Sequence, residues 1–361
     1  MKILHIHTSL AGGGIESIIC GLLNRMVQSV DVTLATIFAP KSTDLFEQRI
    51  DKRVKRLNLG KIKGGFSLSE IFKIYKLISR GEYDIVHIHG FFYYYALAVM
   101  LLHRKTKFYY TIHSDAYMEN TKWDKRLFWL KKFCFKRGFI HPITISHASQ
   151  TSFYNLYHTP SSLICNGVAQ PDIDTTLNPI EQYKISEKTR VFVHAGRINV
   201  AKNQLVLCEA FERIIKDGHD VVLLIAGGNN DNKIMEQLTP YFCERIRYIG
   251  ERSDVPALFY FAEAMCLPSI WEGLPITLLE ALSVGCIPIC SPVGGIVNVI
   301  RDGHNGLLSA DASADAYYTT LCRYLQMSRD EIKAMRREAI NSFSKFDIKT
   351  TVAQYLEAYG K

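Results

Sequence analysis

Short β-branched apolar runs alternate along this chain with stretches whose apolar residues recur every three or four positions, the pattern of strands and amphipathic helices taken in turn. In the first half the runs predict strands at 2–7, 32–37, 53–58, 84–89, 107–113, 142–146 and 162–165, with helices at 14–29 and 68–79. The region around Pro171 and Pro179 has little periodicity and reads as a linker. The pattern then restarts. Strands at 190–194, 220–226, 246–249, 264–267 and 286–290 alternate with helices at 203–216, 232–242, 255–262 and one opening at Pro275. Such alternation predicts parallel sheets covered by helices. The expected class is α/β, with two doubly wound Rossmann-like domains facing each other across a cleft. The first spans 1–170 and the second 189–345, joined by a linker over 171–188; a C-terminal helix within 346–361 packs back on the first.

A length of 361 residues suits two domains of about 180 each, and 48% hydrophobic content fills two cores. Nine cysteines without a Cys-x-x-Cys pair are expected to be buried thiols in a reducing compartment. The stretch from Met1 to His7 alternates polar and apolar residues where a signal peptide needs an unbroken apolar region, and no run is long enough to span a bilayer. A cytoplasmic location is expected. Net charge is +8 but unevenly placed, with about 23 basic and 11 acidic residues before position 171 and about 20 and 24 after it. Much of the excess lies in 122–137, where Lys122, Lys125, Arg126, Lys131, Lys132, Lys136 and Arg137 interleave with Trp123, Phe128, Trp129, Phe133 and Phe135. A basic aromatic helix suits an anionic membrane surface. With the run from Phe91 to Tyr95, it predicts peripheral contact on the inner face of the cell membrane. No nucleic-acid recognition motif accompanies the charge, so no nucleic-acid partner is expected.

In parallel sheets, ligands sit beyond the C-terminal ends of the strands. The most informative loop there runs from Trp271 to Glu280, where Glu272 precedes Gly273, Leu274 and Pro275, and an apolar helix follows through Glu280. Proline suits the first helical turn, and the free N–H groups near Ile276 and Thr277 favour an anion. Two carboxylates beside an anion site read as acceptors for hydroxyl donors, hence a phosphate carrying sugar or ribose. A second loop holds Gly196, Arg197 and Lys202, two cations able to neutralise a departing diphosphate. A third ends in His113. The Gly12-Gly13-Gly14 loop after the first strand opens a helix without dinucleotide glycine spacing. His5, His7, His87 and His89 fall on two strands, but no carboxylate or cysteine follows at matching spacing, so no metal is expected. Asp172 and Asp174 have the spacing of a divalent-ion pair but sit in the linker, and chance accounts for them.

The order of these pieces resembles glycosyltransferase family 4, retaining enzymes of the GT-B fold and of the bacterial polysaccharide type. The resemblance covers essentially the whole chain. It rests on Glu272 and Glu280 in their shared motif, on Gly196, Arg197 and Lys202, on Gly13 and Gly14 with Glu16, and on Asp302, Gly303, Gly306 and Leu307. Two departures are Asn203 and Ser114, where glycine is usual. The resemblance implies that Arg197 and Lys202 bind the donor diphosphate in place of a metal, with no other cofactor. Glu272 then contacts the transferred sugar, and the backbone of Gly273, Leu274, Pro275, Ile276 and Thr277 holds sugar and phosphate. Glu280 takes the ribose, and Tyr248, Ile249 and Gly250 meet the base. His113 faces the sugar across the cleft, Gly13 and Gly14 close on the phosphates, and Glu16 lies on the acceptor side. The implied catalytic set is His113, Glu272, Arg197 and Lys202. The implied donor is a nucleotide sugar, expected to be a UDP-sugar, and the acceptor is a glycan or lipid-linked hydroxyl in cell-surface polysaccharide synthesis. A nucleotide-sugar epimerase of the same fold is the alternative. A nicotinamide-dependent oxidoreductase is disfavoured, because neither half carries the dinucleotide glycine fingerprint.

Overall fold

The computed structural model describes every residue except 12, 41–45, 63–66, 91–104, 120–126 and 361. The central strands are buried on both faces, so each sheet must be covered on both sides. The chain forms two compact units, Met1–Gly167 with Ile348–Lys361, and Val168–Asp347.

In the first unit β1 (Lys2–His7), β2 (Asp31–Phe38), β3 (Lys55–Lys61), β4 (Ile85–His89), β5 (Lys107–Ile112), β6 (His141–Thr144) and β7 (Ser162–Leu163) form one sheet. Their order is β3-β2-β1-β4-β5-β6-β7 and every pairing is parallel. Side chains alternate across a strand, which divides the residues cleanly. Leu4, Ile6, Val86, Ile88, Phe108 and Tyr110 share one core with helices α2 (Leu68–Gly81), α3 (Phe128–Lys136) and α4 (His147–Tyr157). The other face carries His5, His87, His89 and Tyr109. There α1 (Gly14–Met26) packs with the C-terminal helix, Ile348–Gly360. That helix bonds to the sheet through Tyr359 to His87, and Tyr109 donates to the Ala358 carbonyl at 2.7 Å.

The second unit repeats the plan with β8 (Arg190–Ala195), β9 (Val221–Ala226), β10 (Ile246–Gly250), β11 (Ala264–Leu267), β12 (Ile287–Cys290) and β13 (Leu307–Leu308), ordered β10-β9-β8-β11-β12-β13. Its helices are α5 (Gln204–Lys216), α6 (Asn232–Leu238), α7 (Val255–Phe261), α8 (Ile276–Ser283), α9 (Ala314–Leu325) and α10 (Arg329–Phe343). Phe192, Phe211, Leu223, Tyr317 and Tyr324 anchor one of its cores.

Strand order reverses at β1 and β4 in the first sheet and at β8 and β11 in the second. Those reversals open the crevices where open α/β sheets bind ligands. The loops carrying Gly13, Arg197, Lys202 and Glu272 leave these strands.

Several elements differ from the sequence reading. The expected 232–242 helix stops at Leu238 and tightens into a 3₁₀ turn over Thr239–Tyr241, since Pro240 lacks the N–H a continuing α-helix requires. The short β13 is too brief to give a period. Residues 171–188 group with the second unit, where Pro171, Ile173, Leu177 and Pro179 line a cavity of about 470 Å³ with Ser253 and Pro256. Asp174 turns its own backbone there, accepting from the Thr176 N–H at 2.9 Å and hydroxyl at 2.6 Å. All nine cysteines are free thiols. No helix among the described residues is long and apolar enough to cross a membrane.

Candidate active site

The second unit brings Lys202 and Glu272 into direct contact. Asn199 starts the turn Val200–Lys202 by accepting the Lys202 N–H at 3.1 Å. The chain then enters α5 through Asn203 in a left-handed conformation, φ 55 and ψ 39. Asparagine tolerates that region better than most residues, which explains how it replaces the usual glycine. It also adds two bonds, its amide donating to the Pro268 carbonyl at 3.1 Å and the Ala312 carbonyl at 3.0 Å. The Ile270 N–H donates to the Ala201 carbonyl at 2.8 Å. Loops from β8 and β11 are thereby laced together. Across them Lys202 Nζ lies 2.6 Å from Glu272 Oε1, with the side chains 18% and 12% exposed. The Ser269 hydroxyl donates to the same oxygen at 2.7 Å. Arg197 stands exposed at the head of the loop.

Leu274, Pro275 and Ile276 are buried. Pro275 occupies the N-cap position, φ −69 and ψ 128, and Ile276 is the first helical residue. The proline therefore sits one position earlier than the sequence reading placed it, still where its missing N–H costs nothing. The Thr277 hydroxyl is buried without a hydrogen-bond partner, a polar group that a ligand would satisfy. Glu280 is half-buried on α8. Tyr248 is engaged inside the unit: its hydroxyl donates to the Gly227 carbonyl at 2.8 Å and its ring stacks on Phe242. Ile249 and Gly250 follow it to the end of β10, both half-buried.

In the first unit Gly13 is the N-cap of α1, and Gly14 is its first residue. Glu16 Oε1 lies 3.6 Å from Nε2 of His7, whose Nδ1 donates to the His89 carbonyl at 3.1 Å. His113 follows β5, and burial pushes its pKa down to about 3, with His7 lowering it further and Glu16 opposing. Ser114 is absent from the positive-φ residues, so this backbone needs no glycine there. Nitrogens of His5, His87 and His89 lie within 4.8 Å of one another, near the spacing of an ion site. Yet the His87 and His89 rings stack at 4.2 Å with 21° between planes. Stacked rings direct their in-plane lone pairs side by side. Both His87 nitrogens bond to Tyr359 and Thr111, Nδ1 of His5 faces Nε2 of His89, and Nδ1 of His89 faces Nε2 of His113, which leaves Nε2 of His5 without a partner. The aromatic run 91–95 and residues 122–126 lie outside the described residues, but α3 exposes Trp129 and Phe133 while Cys134 and Phe135 are buried.

A profile described as Glycosyltransferase Family 4 matches residues 12–169, and one described as Glycosyl transferases group 1 matches 178–342. The chain belongs to the family 4, group 1 glycosyltransferases. A UDP-Gal:alpha-D-GlcNAc-diphosphoundecaprenol alpha-1,3-galactosyltransferase of Escherichia coli is 27% identical over 305 residues, 77% of this chain and 76% of that one. A glycosyltransferase from Rickettsia africae superposes with TM-score 0.80 at 17% identity, covering 99% of this chain and 97% of that one. HepE of Anabaena, solved with UDP and glucose, gives TM-score 0.80 at 18% identity over 100% of this chain and 99% of its own. These likenesses show the GT-B fold.

Two positions outside the sequence motifs shape this glycosyltransferase's site. Gly294 approaches the backbone of Glu272 so closely that an added Cβ would meet its carbonyl oxygen. Glu119 accepts the backbone N–H of His113 at 2.5 Å and of Ser114 at 3.0 Å, and the Tyr110 hydroxyl at 3.2 Å. It thus fixes the loop that presents His113. No motif marks it; the one signal is a lone acid six residues past a strand-end histidine. Burial lifts its pKa from 4.5 to about 7, opposed by Lys131 and by the bonds it accepts. The fold therefore favours the protonated form. That contribution is complete below about pH 4.5 and is lost as pH rises through 7. Glu119→Gln, which keeps the acceptor and cannot ionise, is expected to abolish this decline. Urea denaturation of both proteins between about pH 5 and pH 8 checks it, and equal pH slopes would contradict it.

Proposed function

We propose that this glycosyltransferase moves a hexose from a UDP-sugar to a hydroxyl of a lipid-linked glycan, with retention and without a metal, in cell-surface polysaccharide synthesis. The observation that carries the reading is the Lys202–Glu272 pair beside α8, whose second residue carries the unpartnered Thr277 hydroxyl. A diphosphate taking Lys202 as its counter-ion releases Glu272 toward the sugar hydroxyls. Breaking the glycosidic bond builds negative charge on the diphosphate, and preorganised positive charge is the largest contribution a protein can make to that step. Arg197, Lys202 and the first N–H groups of α8 supply it, which is why no divalent ion is invoked. Glu280 takes the ribose, Tyr248 to Gly250 approach the base through backbone, and Gly13 and Gly14 approach the phosphates. His113 contacts the sugar and Glu16 lies on the acceptor side. No carboxylate is singled out as a nucleophile, so the acceptor attacks on the face the diphosphate leaves, and the phosphate takes its proton. The nucleotide and acceptor class are supported by what the Escherichia coli relative's name states and by the UDP bound in HepE.

A peripheral membrane contact is part of the proposal. Besides Trp129 and Phe133, α2 exposes Leu68, Phe72 and Tyr75, one helical stripe alongside Lys73 and Lys76. Both helices cover the same face of the first sheet.

The test is a panel of UDP-, GDP- and dTDP-sugars followed by thermal shift and nucleotide release, with and without EDTA and a polyprenyl-diphosphate sugar acceptor. UDP-sugars are expected to stabilise the protein and release UDP in an EDTA-insensitive reaction. Turnover with another base alone, or abolished by EDTA, would overturn the corresponding part. The enzyme is also expected to sediment with anionic vesicles, and equal recovery with neutral ones would remove the membrane contact.

A further inference from the structure

Three histidines of the first unit form a hydrogen-bonded chain. Nδ1 of His5 lies 3.0 Å from Nε2 of His89, and Nδ1 of His89 lies 3.1 Å from Nε2 of His113. All three are buried, and burial holds each in its neutral form, His5 and His113 near 3 and His89 well below the ordinary histidine value. A neutral imidazole has one N–H and one bare nitrogen. The three rings therefore share three protons among six nitrogens. Each of the two contacts takes one proton, in a consistent direction, and the third sits on an end atom. The ends are Nε2 of His5 and Nδ1 of His113, both buried without a hydrogen-bond partner.

The two ends are not equivalent. His5 lies inside β1, between β2 and β4, and is 0% exposed. His113 leaves the end of β5 and is 8% exposed. An orphaned buried N–H is rarer than an under-satisfied acceptor, so the bare lone pair belongs on His5 and the free N–H on His113, where a ligand can accept it. With that direction His5 donates to His89, His89 donates to His113, and every inner nitrogen is satisfied. His7 closes off another route: its Nδ1 is committed to the His89 carbonyl and its Nε2 faces Glu16.

We propose that His5 and His89 are positioning residues that lock His113 as its Nδ1–H tautomer, so that His113 meets the substrate as a hydrogen-bond donor and has no lone pair with which to act as a base. The role of His113 toward substrate rests on the reading under Proposed function; the tautomer lock itself does not.

Long-range proton–nitrogen correlation spectra of the full chain labelled at histidine test it, with His113 assigned by its loss in His113→Asn. The expected spectrum shows the proton on Nδ1 of His113, opposite to the Nε2–H form that free neutral histidine prefers in water. A purely structural role for the cluster does not set that preference. A proton on Nε2 of His113 in the wild-type protein overturns the proposal. His89→Asn, whose amide N–H stands close to where Nδ1 stood, is expected to keep the Nδ1–H signal and most turnover. His89→Leu is expected to return His113 to Nε2–H and to lower kcat about tenfold with KM little changed. His113 still protonated on Nδ1 in His89→Leu also counts against the lock. Full turnover by His113→Ala, with the tautomer as stated, would instead remove the substrate-contact reading and leave the lock standing.

Discussion

Lys202→Ala is expected to lower kcat by about 10² to 10³, the loss that follows removal of one preorganised donor to developing negative charge. Lys202 sits 2.6 Å from Glu272 and is only 18% exposed, so its charge acts where water screens poorly. Its removal has a second consequence. Among the described residues Glu272, 12% exposed, then keeps only the Ser269 hydroxyl as a side-chain hydrogen-bond partner and would face a diphosphate with its charge uncompensated. Glu272→Gln should therefore cost more in the wild-type background than in Lys202→Ala, where it relieves that repulsion. Steady-state kinetics on the two single variants and the double variant measure the coupling. Strict additivity would mean that the two residues act independently in turnover, against the proposed exchange of partners. Because both side chains are largely buried, leaving Glu272 without its counter-ion is also expected to lower stability, by about 1–3 kcal/mol, between the values for exposed and buried pairs. A Lys202→Ala enzyme with wild-type kcat would remove the diphosphate assignment altogether.

Gly294→Ala is expected to destabilise the second unit by about 2–4 kcal/mol, combining backbone strain with overpacking, and to impair turnover as well. The residue has φ +54, and a Cβ there would stand 1.9 Å from the Glu272 carbonyl oxygen and 2.8 Å from its carbon. Neither atom can rotate away as a side chain would. The loop carrying Glu272 must move, and Gly295, whose N–H donates to the Gly273 carbonyl at 2.7 Å, moves with it. Gly218→Ala is the control. It has φ +88 with nothing within 4 Å of the added carbon, so it carries strain alone, about 1–2 kcal/mol. Thermal melts of the two variants separate the contributions, and equal Tm values would show that the close approach to Glu272 yields easily.

The main elements of the fold were legible because burial on both faces and helical spacing act on neighbouring residues. The runs at 2–7 and 84–89 announce themselves as strands whatever they pair with. Chemistry was legible where one loop carries it whole, as in Glu272 through Glu280, or Gly196 through Lys202. The two departures from the family motif could be noted but not explained. Only the left-handed backbone at Asn203 and its two carbonyl partners show why asparagine serves there. Contributions separated along the chain were invisible. Glu119 is one lone acid, Gly294 one turn glycine, and residues 171–188 offered no period to read.

Sequence alone determined the α/β alternation, the division into two Rossmann-like halves and the family, because periodicity, turn chemistry and loop motifs are properties of contiguous residues. Tertiary structure decided which of those residues act together. Parallel pairing of β1 with β4 sets His5 opposite His87, and the adjoining strands bring His89 and His113 into one proton-sharing chain. The reversal of strand order between β8 and β11 brings Lys202 onto Glu272 across 70 residues. Neither contact has a local signature, since its energy comes from burial and partners that exist only once the sheets have formed.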